Sequence, residues 1–411
     1  MEQVLRVQCC IAGGGPAGMM LGYLLGRAGV STLVLEKHAD FLRDFRGDTV
    51  HPSTLQILYE LGLLPEFLER PHSEIPAFSA DIGGRSFKIA DFAHVPTRCR
   101  FIALMPQWDF LDFLAQKGRR FASLRIMMSA QVTGLTQAAG RVTGVQASTP
   151  DGPLEVVADL VVGCDGRHST VRAAAALPVE DLGSPIDVLW FRMSRKPGDP
   201  EHVLGHLGTD KMIVTIERTG YWQCAYVIGK GGIERIHAAG LEAFRRAVAD
   251  GAPFLADRLQ ELKSFDEVKL LSVTVDRLTT WSRPGLLCIG DAAHAMSPIG
   301  GVGINLAVQD AVATANLLAA KLKAGTVVDR DLEAVRRRRL LPVKLIQRGQ
   351  VAVQNRVLTP LVSGRQQSGE RAVKVPWIVK RLDANAWLRR WPAQLLGVGV
   401  RAEHVRSPEA P

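Results

Sequence analysis

Three glycine-rich segments of this chain combine residue types that could hold a negatively charged ligand. The first places Gly13, Gly15 and Gly18 in the spacing GxGxxG, directly after the apolar run Leu5 to Ala12. The second, VVGCDGRHSTVR, follows another apolar run and contains Asp165. The third, GDAAHAMSPIGGVGINLAVQD, follows a further apolar run and leads into an amphipathic helix pattern. Backbone N–H groups at glycine loops and at the helix starts behind them attract anions.

The first segment predicts a dinucleotide site. Gly13 permits the tight turn, Gly15 lets the backbone approach a pyrophosphate, and Gly18 lets the helix pack closely on the strand. Glu36 ends the next strand about 20 residues on, where a carboxylate can hold a ribose hydroxyl pair and repels a 2′-phosphate. The alternative is a glycine-rich turn without a ligand. The agreement of strand, helix and acid favours the dinucleotide.

Considered separately, the second segment predicts only a helix start, whereas the third predicts a ligand site. The second indicates only a helix start, with Asp165 as a capping or turn residue. In the third, Asp291 stands at the carboxyl end of a strand, where α/β sheets place ligand groups. Gly300, Gly301 and Gly303 then precede a helix whose N-terminus can stabilise negative charge.

The elements around these segments predict an α/β fold. The segment Leu5 to Lys37 is a βαβ unit, the usual start of a doubly wound parallel sheet. Strand patterns dominate from about 185 to 278, which predicts an inserted antiparallel β-sheet domain. The predicted domains are a discontinuous Rossmann-like domain (1–75, 100–180 and 280–330), a β-sheet substrate domain (76–99 and 181–279) and a basic helical C-terminal region (331–411).

Composition narrows the class of protein. The chain has 411 residues, 47% hydrophobic residues and a net charge of +9. The basic excess lies in 331–411, where 16 Lys and Arg face 6 Asp and Glu. The remainder carries 34 basic against 35 acidic residues, which argues against a nucleic-acid partner. The run Arg336 to Arg339 is predicted to be a solvated helix face.

Cysteine placement and hydropathy suggest a cytoplasmic protein. The six cysteines have no CxxC or Cys/His ligand spacing, so buried free thiols are expected rather than disulfides or a metal site. No apolar run reaches the roughly 18 residues of a membrane span. The N-terminus enters a strand pattern without the features of a signal peptide.

Taken together, GGGPAG…LEK, CDGRHSTVR and GDAAHAMSPIGGVGINLAVQDA resemble the motifs of the flavoprotein aromatic hydroxylases. These are single-component FAD-dependent monooxygenases similar to p-hydroxybenzoate hydroxylase. The resemblance covers residues 5 to 325. It implies FAD, with NAD(P)H as a transient electron donor, and O2. The expected reaction hydroxylates a small aromatic, phenol-like or related conjugated substrate through a C4a-hydroperoxyflavin. Both glycine loops would then serve one extended cofactor.

The resemblance also implies which residues bind the cofactor. The ADP half of FAD would be held by Gly13, Gly15, Pro16, Ala17, Gly18, Glu36, Lys37 and Arg46. The rest would be held by Gln107 on the flavin side chain, Asp165 facing FAD and the nicotinamide, Asp291 at the ribityl-pyrophosphate region, and Gly301, Val302, Gly303, Ile304 and Asn305 on the isoalloxazine. Pro298 and Gly301 are implied as flavin-positioning catalytic residues. No acid or base is assigned.

Several interpretations remain beside this one. A flavin reductase of prenyl or lipid substrates, a halogenase and a non-catalytic FAD-fold binding protein share the fold. The WxWxIP motif of halogenases does not occur, and the intact glycine and aspartate motifs favour an enzyme. On the sheet domain Arg192, His206, Trp222 and Tyr226 could face a substrate pocket, but core packing or a solvated strand face is favoured.

The C-terminal stretch VPWIVKRLDANAWLRRWPAQLLGVGV interleaves tryptophans with basic residues. It could be an interfacial helix in peripheral contact with a membrane. An amphipathic helix docked on the cofactor domain is favoured over that. Either a monomer or a homodimer is compatible with the sequence.

Overall fold

The computed structural model describes residues 3–42, 49–200, 205–208, 211–218, 220–359 and 375–410. Arg46, predicted to contact the FAD phosphates, lies outside the described residues.

The strands, in chain order, are β1 Gln3–Ala12, β2 Thr32–Leu35, β3 Thr49–Val50, β4 Ser73–Ile75, β5 Ala77–Ile82, β6 Arg85–Asp91, β7 Ile102–Leu104, β8 Leu124–Met127, β9 Gln131–Ala138, β10 Arg141–Thr149, β11 Gly152–Gly163, β12 Val179–Asp181, β13 Ile186–Ser194, β14 Gly205–Leu207, β15 Met212–Glu217, β16 Tyr221–Gly229, β17 Lys269–Ser272, β18 Asp276–Leu278, β19 Ser282–Arg283 and β20 Leu286–Cys288.

The helices are α1 Pro16–Arg27, α2 Pro52–Glu60, α3 Leu64–Leu68, α4 Gln107–Gly118, α5 Thr170–Ala174, α6 Ile233–Ala239, α7 Leu241–Gly251, α8 Gly303–Lys323, α9 Asp329–Val353, α10 Trp377–Ala384 and α11 Arg390–Gly397. A π-helical turn, Gln354–Leu358, continues α9. Short 3₁₀ turns lie at Phe92–His94, Pro253–Glu261, Phe265–Glu267, Gly290–Ala292 and Ile299–Gly301.

The main sheet has the strand order β19-β20-β11-β1-β2-β8, and β10 and β9 extend it from β11. Strands β20, β11, β1, β2 and β8 run parallel. Ala12 pairs with both Leu35 and Gly163, and Gly163 pairs with Cys288. The carboxyl ends of four strands therefore meet at one edge, from which all three glycine-rich segments emerge. This arrangement confirms the predicted α/β fold.

The second sheet has the order β17-β13-β16-β15-β14-β5-β6 and is antiparallel except for the β14–β5 pair. Side chains alternate between its faces, as the pleat requires. On one face Trp222 and Tyr226 pack with Phe244 of α7. On the other, Val188 and Trp190 belong to an apolar cluster shared with the C-terminal region.

Helix α8 is the central helix of the molecule. It packs against α1, α9 and the main sheet. The segment Ile299–Lys323 is long and apolar enough to cross a membrane by composition, but 83% of its most apolar window is buried inside the protein. Its hydrophobicity is therefore accounted for by core packing.

The predicted docking of the C-terminal region on the cofactor domain holds only in part, because α10 and α11 pack mainly on β6 of the second sheet. Ala393 and Gly397 of α11 are buried, and Gly397 lies close to Phe92 and Pro52. In contrast, Trp377 and Trp391 are 74% and 64% exposed. The docking uses small residues of α11, and the large aromatic side chains project outwards.

The arginine run of α9 corrects one prediction. Arg337 is solvated, but Arg339 is fully buried and donates to Asp310 of α8. The solvated-face interpretation was wrong for Arg339 because one position of the run turns towards α8. All six cysteines are buried free thiols, as expected.

Candidate cofactor and active site

The first glycine loop requires glycine at two positions for steric reasons. Gly13 has φ of +102°, and a Cβ there would overlap the carbonyl oxygen of Cys164. A Cβ on Gly18 would overlap the carbonyl oxygen of Gly13. By contrast, a Cβ on Gly15 would meet no atom of the described chain within 4 Å. The loop is thus closed towards the protein and open at Gly15, where α1 begins with Pro16.

Glu36 lies beside this loop. Its carboxylate accepts hydrogen bonds from the backbone N–H of Gly14 at 2.9 Å and of His38 at 3.0 Å. The carboxylate of Glu36 is thus held beside the first glycine loop, and a carboxylate oxygen can accept more than one hydrogen bond. The neighbouring Lys37 is exposed, and Ala17 is buried in the first turn of α1.

The third segment lies directly against the first. Gly290 has φ of +60°, and a Cβ built on it would be 3.0 Å from the Cβ of Ala17. Gly301 has φ of +62°, and its carbonyl accepts from Thr49 Oγ1 at 2.8 Å. A Cβ on Gly303 would meet no atom of the described chain within 4 Å. Helix α8 starts there, and no side chain of the described residues caps it.

Asn305 is the polar side chain in the first turn of α8. Its Oδ1 accepts from Thr54 Oγ1 at 2.6 Å and from the backbone N–H of His51 at 3.3 Å. Its Nδ2 is buried and has no hydrogen-bond partner among the described residues. Because an unpaired buried donor is costly, this amide indicates a missing acceptor.

His51 connects the same site to the C-terminal region. Its ring Nδ1 is 2.8 Å from the carbonyl oxygen of Leu396, the last residue but one of α11. Complete burial lowers the pKa of His51 to about 4, so the ring is neutral at pH 7. His51 is the N-cap position of α2, and Pro52 is the first residue of that helix.

Pro298 begins a short turn that leads to Gly301, whose N–H donates to the Pro298 carbonyl at 3.0 Å. The preceding Ser297 is buried and is bound by Gln350 of α9. Ile299 packs in a small apolar cluster with Ile186 and Val227 of the second sheet. The turn therefore lies between the start of α8 and the second sheet.

The second segment is held by hydrogen bonds and an ion pair, and the predicted role of Asp165 at FAD stays a prediction. Asp165 accepts from Ser169 Oγ at 2.5 Å and from the N–H of Val171 at 3.1 Å, at the start of α5. Burial raises the pKa of Asp165. Arg172 forms a two-point ion pair with Asp276, at 3.2 and 3.1 Å. Asp276 in turn accepts from the N–H of Ala295, which ties this segment to the third one.

The remaining predicted residues lie at the margins of this arrangement. Asp291 is about one-third exposed and 3.8 Å from the guanidinium of Arg167. Gln107 is the first residue of α4 and is half-buried. Val302 and Ile304 are buried beside the start of α8.

Asp310 is a buried anchor whose role the sequence did not reveal. It accepts from His294 Nε2 at 2.5 Å, Arg339 Nε at 2.8 Å and the N–H of Gly290 at 3.1 Å. Burial alone would raise its pKa, but the charges and hydrogen bonds of His294 and Arg339 hold the pKa below its ordinary value. Asp310 thereby fixes Gly290 relative to α8. In the sequence, the only sign of this role was that His294 and Asp310 stand on either side of Gly300, Gly301 and Gly303.

Trp222, Tyr226 and His206, which were considered as substrate-facing residues, lie on the α7 face of the second sheet. Arg192 differs from them, because it is exposed on the same face as Val188 and Trp190. Trp222 donates to Asp199 at 2.7 Å, and Tyr226 packs under α7. His206 lies 3.2 Å from Thr215, and Arg192 lies over the ring of Tyr221. The favoured interpretation of core packing or a solvated face is confirmed for Trp222 and Tyr226.

These residues fit FAD. Two helix starts, at Gly15 and Gly303, offer unobstructed backbone N–H groups at the same edge of one parallel sheet. Glu36 lies beside the first helix start, and the unpaired Asn305 amide lies behind the second. Such an arrangement suits a long ligand with a pyrophosphate near one helix and a polar ring system near the other. The class defined by this fold and site is that of the dinucleotide-binding flavoproteins.

Comparison with known proteins assigns the family. A family model described as FAD binding domain matches residues 6–349. The chain belongs to this family and is a flavoprotein aromatic hydroxylase, an FAD-dependent monooxygenase that acts on aromatic compounds.

Three similar proteins illustrate the relationship. The 6-methylpretetramide 4-monooxygenase of Streptomyces rimosus is 32% identical over 401 residues, which cover 97% of this chain and 94% of that protein. The dialkyldecalin synthase of Streptomyces rugosporus is 27% identical over 321 residues, covering 74% of this chain and 63% of that longer protein. The solved structure of OxyS anhydrotetracycline hydroxylase from Streptomyces rimosus has a TM-score of 0.74 at 24% identity, covering 99% of this chain and 78% of that one. The last comparison shows a shared fold.

Proposed function

We propose that this monooxygenase takes its electrons from NAD(P)H and hydroxylates a conjugated, phenol-like aromatic compound. The observation that carries the proposal is the meeting of the uncapped α8 start, with its unpaired Asn305 amide, and the apolar face of the second sheet. When bound, FAD supplies the electron transfer and oxygen activation that no side chain can provide. The chain supplies binding, orientation and exclusion of water.

Residues of the first loop would hold the adenosine end of FAD. Gly15 lets the pyrophosphate approach the α1 N-terminus, and Glu36 accepts from ribose hydroxyls. Gly303 would admit the isoalloxazine to the α8 N-terminus, whose partial positive charge favours the anionic reduced ring. Gly301 would contribute through its backbone, since a Cβ there would overlap Thr49 Oγ1. Asn305 Nδ2 would donate to a ring acceptor, with its orientation fixed by Thr54.

The proposed substrate position lies between the Pro298 turn and the second sheet. Val188, Trp190 and Ala225 line that face of the sheet in one apolar cluster, and Leu396 packs against it. Leu396 also approaches Gly300, since a Cβ there would be 2.9 Å from Leu396 Cδ2. An apolar wall with an aromatic ring suits a planar conjugated substrate. The relative that matches nearly the whole chain is named for 6-methylpretetramide, which supports an aromatic substrate.

The test is to purify the protein with added FAD and to measure NAD(P)H oxidation with a panel of phenolic compounds. We expect a yellow protein whose NAD(P)H oxidation is accelerated by an aromatic ligand that is recovered hydroxylated. Reduction of a prenyl or other lipid double bond without O2 consumption would instead support a reductase. Conversion of a ligand without NAD(P)H or O2 would support a non-redox role, as the name of the dialkyldecalin synthase suggests for that relative.

A further inference from the structure

Helix α9 and the π-helical turn that continues it present a row of buried glutamines to the third segment. Gln347, Gln350 and Gln354 follow one another at positions i, i+3 and i+7, so they share one helix face. Each is at most 5% exposed. Buried amides are costly unless both the donor and the acceptor are paired. Three in a row on an otherwise basic helix therefore indicate specific partners, and among the described residues every side-chain amide atom of the three except Gln354 Oε1 has one.

The partner of Gln350 is the backbone on both sides of Pro298. Its Oε1 accepts from the N–H of Ser297 at 3.2 Å. Its Nε2 donates to the carbonyl oxygens of Ser297 and Ile299, each at 2.9 Å. The side-chain amide thus pairs with the peptide groups that flank the proline, in the way that a neighbouring strand would.

The other two glutamines hold adjacent points. Gln354 donates to Ser297 Oγ at 2.9 Å, at the start of the π-helical turn. Gln347 donates to the carbonyl oxygens of Asp276 at 2.7 Å and Ala295 at 3.1 Å. Of these three glutamines, only Gln350 forms hydrogen bonds with the residues on both sides of Pro298.

We propose that Gln350 is a positioning residue that fixes the Pro298 turn against the isoalloxazine site. Proline lacks an N–H group, so the turn has one donor fewer with which to anchor itself. Gln350 supplies the missing constraint from a separate helix. The inference rests on the proposed function, since it gives the turn a task at the flavin. A displacement of the order of 1 Å at such a position is enough to lower the rate of an oriented reaction strongly.

The test compares Gln350→Leu and Gln350→Glu with Gln347→Leu in FAD-loaded protein. Gln350→Leu removes all three hydrogen bonds. Gln350→Glu keeps an acceptor for the Ser297 N–H but loses the donor to two carbonyls. Gln347→Leu removes an equally buried amide that donates to the carbonyl oxygens of Asp276 and Ala295 and accepts from Arg277. None of these partners is in the Pro298 turn, so the variant controls for loss of stability. The readouts are the yield of hydroxylated product per NAD(P)H consumed, the release of H2O2, and the visible flavin spectrum with and without aromatic ligand.

We expect both Gln350 variants to bind FAD, yet to lose product yield per NAD(P)H by about tenfold, with H2O2 released instead. The ligand-induced change of the flavin spectrum should shrink in parallel, whereas Gln347→Leu keeps both. Equal yields and spectra in Gln350→Leu and Gln347→Leu would overturn the inference. If the unmodified protein formed no hydroxylated product with any ligand, the proposed function would fail instead, and the two failures are thus distinguishable.

Discussion

Gly290 lies against Ala17, so closely that a Cβ on Gly290 would be 3.0 Å from the Ala17 methyl group. Ala17 is in the first turn of α1, and Gly290 begins the third glycine-rich segment. The contact places the two loops side by side, although they are far apart in sequence. This proximity is the structural reason why both can serve one extended cofactor.

The two glycine positions at the start of α1 should separate folding from cofactor binding. Gly18→Ala places a Cβ on the Gly13 carbonyl, and we expect a loss of several kcal/mol of stability, at or above about 3 kcal/mol. The Cβ that Gly15→Ala introduces meets no atom of the described chain within 4 Å. The stability of this variant should therefore differ from that of the unmodified protein by less than about 1 kcal/mol. Gly15→Ala should nevertheless weaken FAD binding, because the pyrophosphate must approach this backbone. Chemical denaturation of the apoprotein and FAD titration would check both; normal FAD affinity in Gly15→Ala contradicts the assignment.

The ion pair between Asp310 and Arg339 should matter most when only one partner is removed. Asp310→Asn leaves the guanidinium of Arg339 buried, with an expected cost of about 3–5 kcal/mol. The double variant Asp310→Asn with Arg339→Met removes that buried charge and should be less unstable than Asp310→Asn alone. Unfolding by urea would measure both differences. A double variant that is less stable than the single one would disprove this account of the pair.

His51 should make stability depend on pH. Burial lowers its pKa to about 4 in the folded protein, whereas an unfolded histidine titrates near about 6.5. Between these values the unfolded state binds more protons, so stability rises with pH and is lost as the pH falls from about 6.5 to 4. The full difference corresponds to about 3 kcal/mol. In His51→Gln this part of the pH dependence of the unfolding free energy should vanish, and an unchanged slope would speak against it.

Asn305 should influence the reduction potential of the bound flavin. Asn305→Asp keeps an acceptor for Thr54 but replaces the unpaired donor with negative charge. We expect it to lower the flavin reduction potential and to weaken FAD binding, because the reduced ring is anionic. Thr54→Val separates orientation from charge, since it keeps the Nδ2 donor but removes the hydrogen bond that orients the amide, and it should shift the potential less than Asn305→Asp does. Potentiometric titration would decide, and an unaltered potential in Asn305→Asp would exclude contact with the ring.

Much of the predicted binding site for the adenosine end of FAD could be read from the sequence, because its structure depends on residues that are close together in the chain. The tight turn at Gly13, the helix after Gly15 and the strand ending at Glu36 are all consequences of short-range geometry. The helix start after Asp165 followed from the same kind of reasoning.

The features that sequence missed depend on contacts between distant elements. Arg339 sits in a run of arginines that looks solvated, and only the packing of α9 on α8 shows that it is buried. Gln350 and Leu396 lie beyond the motifs, and nothing in their local pattern indicates that they contact Pro298's neighbours or His51. The roles of all the predicted cofactor-binding residues at FAD, including Asp165, Gln107 and Asp291, and the division into three regions stay predictions.

Incorporation of oxygen from 18O2 tests the central claim most directly. The FAD-loaded protein would be given NAD(P)H, labelled O2 and an aromatic ligand that accelerates NAD(P)H oxidation. The account predicts that the product carries one labelled oxygen atom and that its formation is lost without FAD. A product without label, or one formed equally well in the absence of FAD, would contradict it.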